Sequence, residues 1–414
     1  MFNQKSGKMR QIEICFPLIQ SSYQEQKNLS DNNYRKIEHI QLISFLTNLT
    51  ELNLQNNNIY DISSISKLKN LTKLDVRRNI IEDISTLQSF TDLIYLTELY
   101  LSGNKISDIS SISKLKNLKK LNLTRNRIED ISAIQSLLNL THLHLSYNKL
   151  TSYTIALPNL VYLSLESSQL HDTSGLQYSP KLEILFLFKT ETTDLRTIPP
   201  QLFSLKELDL SQNNLMEISY LSNFVDLQIL SLGENQQLQN IGPLKFCTQL
   251  TKLDIADSNV SDIWPLQLMK NLKTLEMAHT KVVDLHPLQH LNKLEGIYAY
   301  GTSIIDVSPL SKLTKLNSLV FSCNKITNAE TLKHPQIFSE FNFSDQQVPK
   351  TDELKFYNKR LSVHCSHKQV RRIQNENRTS KFRESMTHQK ESINLKINEQ
   401  ILAVNMKIEI YLDQ

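Results

Sequence analysis

The sequence predicts an α/β solenoid: a horseshoe of stacked short turns with a parallel concave β-sheet, short 3₁₀ or helical convex segments, and a C-terminal helix. Three observations predict it. One frame, Leu-x-x-Leu-x-Leu-x-x-Asn-x-Ile-x-Asp-Ile-x-x-Leu, starts at Leu49, Leu71, Leu96, Leu118, Leu140, Leu160, Leu182, Leu205, Leu227, Leu250, Leu272, Leu294 and Leu316, with a weaker copy at Phe338. Nine of the thirteen spacings between these starts are 22 residues, and the others are 25, 20, 23 and 23. Within each copy the apolar period switches from two to three, which marks a strand followed by a tight helical return.

The elements follow in chain order. Residues 1–26 carry no repeat and read as a partly ordered leader. Ile37, Ile40, Ile43 and Leu46 match the second half of a copy, so residues 27–48 form an N-terminal cap. Thirteen repeats then fill residues 49–337. In Leu118-Lys-Lys-Leu121-Asn-Leu123-Thr-Arg-Asn126, Leu121 and Leu123 alternate with polar residues, as on a strand with one buried face. Asn126 turns the chain, and a buried amide there can satisfy backbone groups of its own and neighbouring turns. Ile128, Ile131, Ile134 and Leu137 recur at three-residue spacing, which suits a 3₁₀-like return. No turn buries these residues alone; stacking makes one continuous core.

Asn holds the ninth place in eight copies, whereas Ser168, Thr190, Ser258, Thr280 and Thr302 replace it with shorter reach. An acid column at the thirteenth place (Asp61, Asp83, Asp108, Asp130, Asp172, Asp194, Asp262, Asp284, Asp306) reads as capping of the returns rather than a cation ladder. Extra residues near Thr91–Tyr95 predict a bulge between the second and third repeats. A degenerate cap repeat spans 338–348, with Phe338, Phe341 and Phe343 imitating the strand half.

Residues 349–378 read as a basic polar linker, and 379–414 as an amphipathic helix with coiled-coil character. Phe382, Met386, Ile393, Ile397, Ile401, Val404 and Ile408 carry the helical spacing. Alternation over Ile393–Ile397 and Val404–Leu412 leaves a strand as the second reading, and self-association through 379–414 is an open expectation. From Lys350 to Glu391 eleven Lys or Arg stand against five acids, a net +6, while residues 1–349 carry −1.

Composition bounds the compartment and the chemistry. The start lacks the apolar stretch of a secretory signal, and no run of eighteen apolar residues could span a membrane. Cys15, Cys247, Cys323 and Cys365 are scattered rather than clustered, so a reducing cytoplasmic or nuclear compartment is expected. No Gly-x-Gly-x-x-Gly occurs, and Gly296 to Gly301 falls in repeat register with Thr302 where a phosphate-binding loop needs Lys. His142 and His144 share one strand face without further ligands and read as surface histidines; His364-Cys365-Ser-His367 has no second cluster. No nucleophile and base can be paired from spacing. No enzyme, metal site or cofactor is expected. Nucleic-acid binding is disfavoured because the basic tail lacks interleaved aromatics.

The third, fifth and seventh places of each copy project onto the concave sheet surface. Repeats one to five are mixed there, with Lys73, Asp75, Arg77, Glu98, Tyr100, Lys120, His142 and His144. Repeats six and seven are apolar or aromatic in Tyr162, Ile184, Phe186 and Phe188. Repeats eight to eleven are mostly acidic in Glu207, Asp209, Asp254 and Glu276, against Lys252, and repeat twelve returns to Tyr298 and Tyr300. An apolar cluster rimmed by charge is the usual anatomy of a protein-binding site. The expected function is therefore a protein-interaction scaffold that takes a protein or peptide on this face.

The periodic frame is the signature of leucine-rich repeats. Over residues 27–348 it resembles two groups: the regulatory leucine-rich-repeat subunit of protein phosphatase-1, and, for fold, the bacterial internalins. The first resemblance implies a phosphatase catalytic subunit as an alternative partner. It also implies that Phe186, Asp209, Asp254, Glu276 and Tyr298 correspond in type and column to that subunit's contact residues.

Overall fold

A computed structural model describes residues 12–13, 40–45, 47–87, 93–332 and 340–342. The chain divides into two units, Met1–Pro349 and Lys350–Gln414. The second unit lies outside the described residues, and with it the expected basic linker and terminal helix.

The first unit is a leucine-rich-repeat solenoid. Its strands form one sheet of fifteen in chain order, every neighbour parallel. Thirteen of them, β2 (Glu51–Asn53) to β14 (Ser318–Val320), are three-residue strands, one per repeat. At one edge β1 (Ile12–Glu13) pairs with β2, so part of the expected leader extends the sheet. At the other, β15 (Glu340–Asn342) comes from the weak fourteenth copy. The register never slips: Leu52 faces Leu74, Leu74 faces Leu99 and Leu99 faces Leu121, so the buried leucine of each turn lies on that of the next. In the fourth repeat Leu118, Leu121, Leu123, Ile128, Ile131, Ile134 and Leu137 are all buried, and equivalent residues form one core from Ile40 to Leu332.

The three-residue spacing of the returns produces 3₁₀ segments such as Ser63–Lys67, Ser110–Lys114 and Ser132–Ser136. Pro243, Pro265, Pro287 and Pro309 each sit in the first turn of one, where a missing N–H does no harm. The acid column does what capping predicts at every one of its nine places. Asp61 Oδ1 accepts the Ser63 N–H at 2.8 Å, and Asp83, Asp108, Asp130, Asp172, Asp194, Asp262, Asp284 and Asp306 repeat the bond two residues on. These backbone bonds hold the Asp83 and Asp130 carboxyls below the ordinary value.

The ninth-place amide ties each turn to the one before it. Asn126 Nδ2 donates to Leu123 O at 2.9 Å in its own turn and to Leu101 O at 3.1 Å in the preceding turn. Its Oδ1 accepts the Ile106 N–H of that preceding turn at 3.0 Å. Asn79, Asn104, Asn148, Asn235 and Asn324 make the same crossing bonds. Where Ser258 or Thr280 takes the place, the hydroxyl reaches only the carbonyl three residues back, Ile255 O or Met277 O. The Ser168 hydroxyl is buried with no hydrogen-bond partner. A second row runs along the side of the stack: Asn70, Asn117, Asn139, Asn159 and Asn271 each donate to a carbonyl of the preceding repeat.

Two further features shape the backbone. The eighth place has positive φ in all thirteen repeats, from Asn56 at 62° to Cys323 at 58°, although only Gly103 and Gly301 are glycines. Each non-glycine residue there costs about 1 kcal/mol, which the flanking ladder must offset. The 20-residue fifth repeat has no 3₁₀ segment. Its return is extended, with Ser152 bridging Asp172 and the Gly175 N–H donating to Tyr153 O at 2.9 Å. A Cβ on Gly175 would lie 2.6 Å from Ile155 O, whereas one on Gly103 would meet nothing closer than 3.4 Å.

The expected outcome is that Gly175→Ala destabilises the solenoid more than Gly103→Ala. The second should cost about 1 kcal/mol through its φ of 70°, and the first several times that through backbone displacement. Urea unfolding of both variants checks this ranking, and equal midpoints would contradict it.

Candidate functional site

The concave face divides into a neutralised N-terminal part and a less compensated centre. In repeats two to four the third-place column alternates sign. Glu98 lies 3.8 Å from Lys73 and 2.9 Å from Lys120, and Tyr100 donates its hydroxyl to Glu98 Oε2 at 2.9 Å. Burial would raise the Glu98 carboxyl, but the bonds from Lys120 and Tyr100 and the two lysine charges hold it below the ordinary value. Asp75, buried in the next column, is chelated by Arg77, whose Nε donates at 2.9 Å. Arg77 also lies 5.2 Å from the Tyr100 ring.

Repeats five to eight build the centre. Tyr162 is expected from its column to be exposed, but it is only 6% exposed. Its ring lies 4.4 Å from His144 and meets Phe186 edge-on at 5.5 Å, because curvature crowds the concave side chains onto their neighbours. The two histidines are likewise not simple surface residues. His142 stacks on Tyr162 at 5.9 Å. His144 Nδ1 is sealed from solvent without a partner, and burial lowers this imidazole to about 3. Ser146 and Ser164 bond to each other beneath.

Ile184, Phe186 and Phe188 are half-buried and line up on the strand of the seventh repeat, β8 (Ile184–Phe186), and its extension. Register places Glu207 beside Ile184 and Asp209 beside Phe186. On the other side, the Ser167 N–H donates to Phe188 O at 2.9 Å, which brings Glu166 beside Phe188. Glu166 is missing from the residues singled out by the sequence reading, although it fills the seventh place of the sixth repeat. Its carboxyl is pushed up to about 7, first by burial and then by the charge of Asp209, with Ser146 and Arg125 opposing.

Farther along, the expected acidic run is narrower than its composition. Glu276 pairs with Lys252 at 2.8 Å. Asp254 is buried and its Oδ1 accepts the Ala256 N–H at 2.9 Å. Tyr298 lies over Gly296 and its hydroxyl meets the Ser318 hydroxyl at 3.2 Å, while Tyr300 meets His279 edge-on at 4.9 Å. The structure therefore brings Tyr162, Ile184, Phe186, Phe188, Glu207 and Asp209 together on adjacent strands. Tyr298 stands four strands from Asp209, roughly 19 Å at ordinary strand spacing. Among the described residues no group of three or more His, Cys, Asp or Glu is placed to hold a metal ion.

Comparison with known proteins agrees with this architecture. Residues 47–89 and 96–136 match the family model described as "Leucine Rich repeats (2 copies)", and residues 136–152 and 204–224 match single leucine-rich-repeat models. Leucine-rich repeat-containing protein 56 of Rattus norvegicus is 34% identical over 112 residues, which is 26% of this chain and 20% of that protein. The match thus spans about a fifth of the relative. An internalin (inlF) from Listeria monocytogenes superposes with a TM-score of 0.66 at 27% identity, over 74% of this chain and 89% of that one. A leucine-rich-repeat protein of Leptospira interrogans gives 0.68 at 22% identity, over 76% and 83%.

Glu166 makes a prediction about pH. Its folded value lies above the unfolded value of about 4.3. Stability should therefore fall as pH rises from about 4.5 to 7, and stay reduced above that, by on the order of 2–3 kcal/mol. Glu166→Gln should flatten this segment of the stability profile measured by urea unfolding. Parallel profiles for wild type and variant would show that the carboxyl titrates normally.

Proposed function

We propose that this chain is a non-enzymatic protein-interaction scaffold that binds a protein or peptide on the concave face, centred on Phe186 and Phe188. The observation that carries the reading is the column of Ile184, Phe186 and Phe188. Most of the concave face is occupied by groups that satisfy one another, whereas this strand presents three half-buried apolar side chains between carboxylates. A stacked solenoid offers an extended surface of this kind without any catalytic group, and buried aromatic anchors dominate the energetics of such contacts. Tyr162 packs edge-on against the anchor, and Glu207 and Asp209 set the charge on one side, with Asp254 and the Lys252-paired Glu276 farther along. Tyr298 and Tyr300 form a second contact region for a partner long enough to reach them.

The alternative reading is a regulatory subunit of a protein phosphatase-1-like enzyme. It is favoured by the type and column of Phe186, Asp209 and Tyr298 and is an outcome of the same experiment. Among the described residues no helix is long and apolar enough to cross a membrane. Cys247 is a buried thiol outside any disulfide, which supports a reducing compartment, cytoplasmic or nuclear. Residues 379–414 are proposed as a second docking element.

A Phe186→Ser/Phe188→Ser double variant should lose specific partners in affinity capture from lysate, while its circular dichroism and urea midpoint remain those of a folded solenoid. Loss of a phosphatase catalytic subunit would select the alternative. An unchanged partner set with a folded variant would contradict the concave-face assignment.

A further inference from the structure

Several carboxylates on the concave face have a cation within ion-pair distance, and two acids beside the aromatic column do not. Asp75 has Arg77, Glu98 has Lys73 and Lys120, and Glu276 has Lys252. Among the described residues, neither Glu166 nor Asp209 has a Lys, Arg or His within ion-pair distance; the cation that acts on Glu166 is Arg125, and it does so only through space. Asp209 uses one oxygen, Oδ1, to accept the Ser211 N–H at 2.9 Å. Glu166 lies against Ser146, whose Oγ accepts the Glu166 N–H at 3.2 Å.

These two acids sit on opposite sides of one strand. Glu166 lies beside Phe188 on the sixth-repeat side, and Asp209 lies beside Phe186 on the eighth-repeat side. Ordinary strand spacing and rise put their Cα atoms roughly 12 Å apart on the diagonal, with the two rings between them. That diagonal is the width of a planar cation flanked by a carboxylate arm on each side. Burying an uncompensated carboxylate is unfavourable, and here it raises the Glu166 carboxyl to about 7. A cation from outside would relieve the same penalty.

We propose that this cradle receives an arginine side chain of an extended partner segment, its guanidinium stacked on the Phe186–Phe188 pair, bonded to Glu166 and facing Asp209. The inference rests on the concave-face reading above and names the chemistry of its occupant. Arginine is preferred to lysine on two grounds. The guanidinium is planar and can stack on an aromatic face while its edge bonds to carboxylates. It is also more weakly hydrated than an ammonium, which matters beside a half-buried carboxylate such as Glu166.

Binding also couples to a proton, because Glu166 must be ionised to pair. The charged and titratable groups around it are Arg125 from the fourth repeat, His144 from the fifth, Tyr162 on its own strand, and Glu207 and Asp209 from the eighth. His144 is neutral throughout the range of interest, and Tyr162 is raised by burial and stays protonated. The titrating group is then Glu166 itself.

The test selects peptides from a random dodecapeptide phage library on the full-length chain and measures synthetic versions by isothermal titration calorimetry. Selected peptides should share an arginine flanked by apolar residues. Changing that arginine to lysine should weaken binding several-fold, and to alanine tenfold or more. Glu166→Gln/Asp209→Asn, with both Phe residues intact, should weaken binding at least tenfold. Wild-type affinity should rise up to about tenfold from pH 6 to pH 8, and Glu166→Gln should abolish that rise. Peptides that need Phe186 and Phe188 but carry no arginine, or that bind the Gln/Asn variant equally well, would overturn the inference and leave the concave-face reading standing. Peptides indifferent to Phe186→Ser/Phe188→Ser would overturn both. Tighter binding of a synthetic 371–383 peptide than of any selected peptide would replace an external partner by the chain's own basic segment.

Discussion

The side-chain amide at the ninth place of the frame is the interaction on which the rest of the solenoid depends. A three-residue strand followed by a tight turn leaves its carbonyls buried between layers, and no strand partner reaches them. Asn126 closes that deficit by donating to carbonyls of two successive turns and accepting an N–H from the earlier one. An unmet buried carbonyl or N–H costs about 1–3 kcal/mol, so each crossing amide stabilises its junction by about that much, while the turns at Ser168, Ser258 and Thr280 stack on strand pairing and core burial without it. The adjoining eighth place keeps a residue of almost any type at positive φ, its N–H donating to a carbonyl of the next repeat, as Arg125 does to Ser146 O and Asp257 to Ala278 O.

From that constraint the binding face follows. Exact register keeps the third, fifth and seventh places in continuous columns, so side chains from successive repeats become neighbours although they are 20 to 25 residues apart in sequence. Curvature then crowds those columns. Crowding is what turns Lys73, Glu98 and Lys120 into a chain of ion pairs, and what presses Tyr162 onto His144 and Phe186. The centre differs because its acids are next to phenyl rings instead of lysines. Glu166, beside Phe188, is desolvated by burial and repelled by Asp209, with Ser146 and the through-space charge of Arg125 opposing more weakly, so its proton affinity rises.

The fold was legible in the sequence because its determinants are periodic. The strand positions, the 3₁₀ returns, the ninth-place amide and the capping role of the acids each recur often enough to be recognised from residue type alone. The second asparagine row, from Asn70 to Asn271, is periodic too but interrupted by lysines such as Lys181 and Lys293, which hides it. The candidate site was legible only as columns. Which column members are accessible depends on curvature and on what each neighbour has already satisfied. Sequence therefore overstates Tyr162 and Asp254 as surface groups, and it passes over Glu166, whose importance comes from having no cation beside it.

The most direct measurement places a photo-crosslinking residue, p-benzoylphenylalanine, either at Phe188 on the concave strand or at Trp264, which is 48% exposed on a 3₁₀ return. Both chains are irradiated in the same lysate and their adducts identified by mass spectrometry. A discrete protein adduct is expected from position 188 that is absent from position 264 and is competed by unlabelled wild-type chain. A competed adduct from position 264 alone would contradict the concave-face reading and move the binding face to the other side of the solenoid.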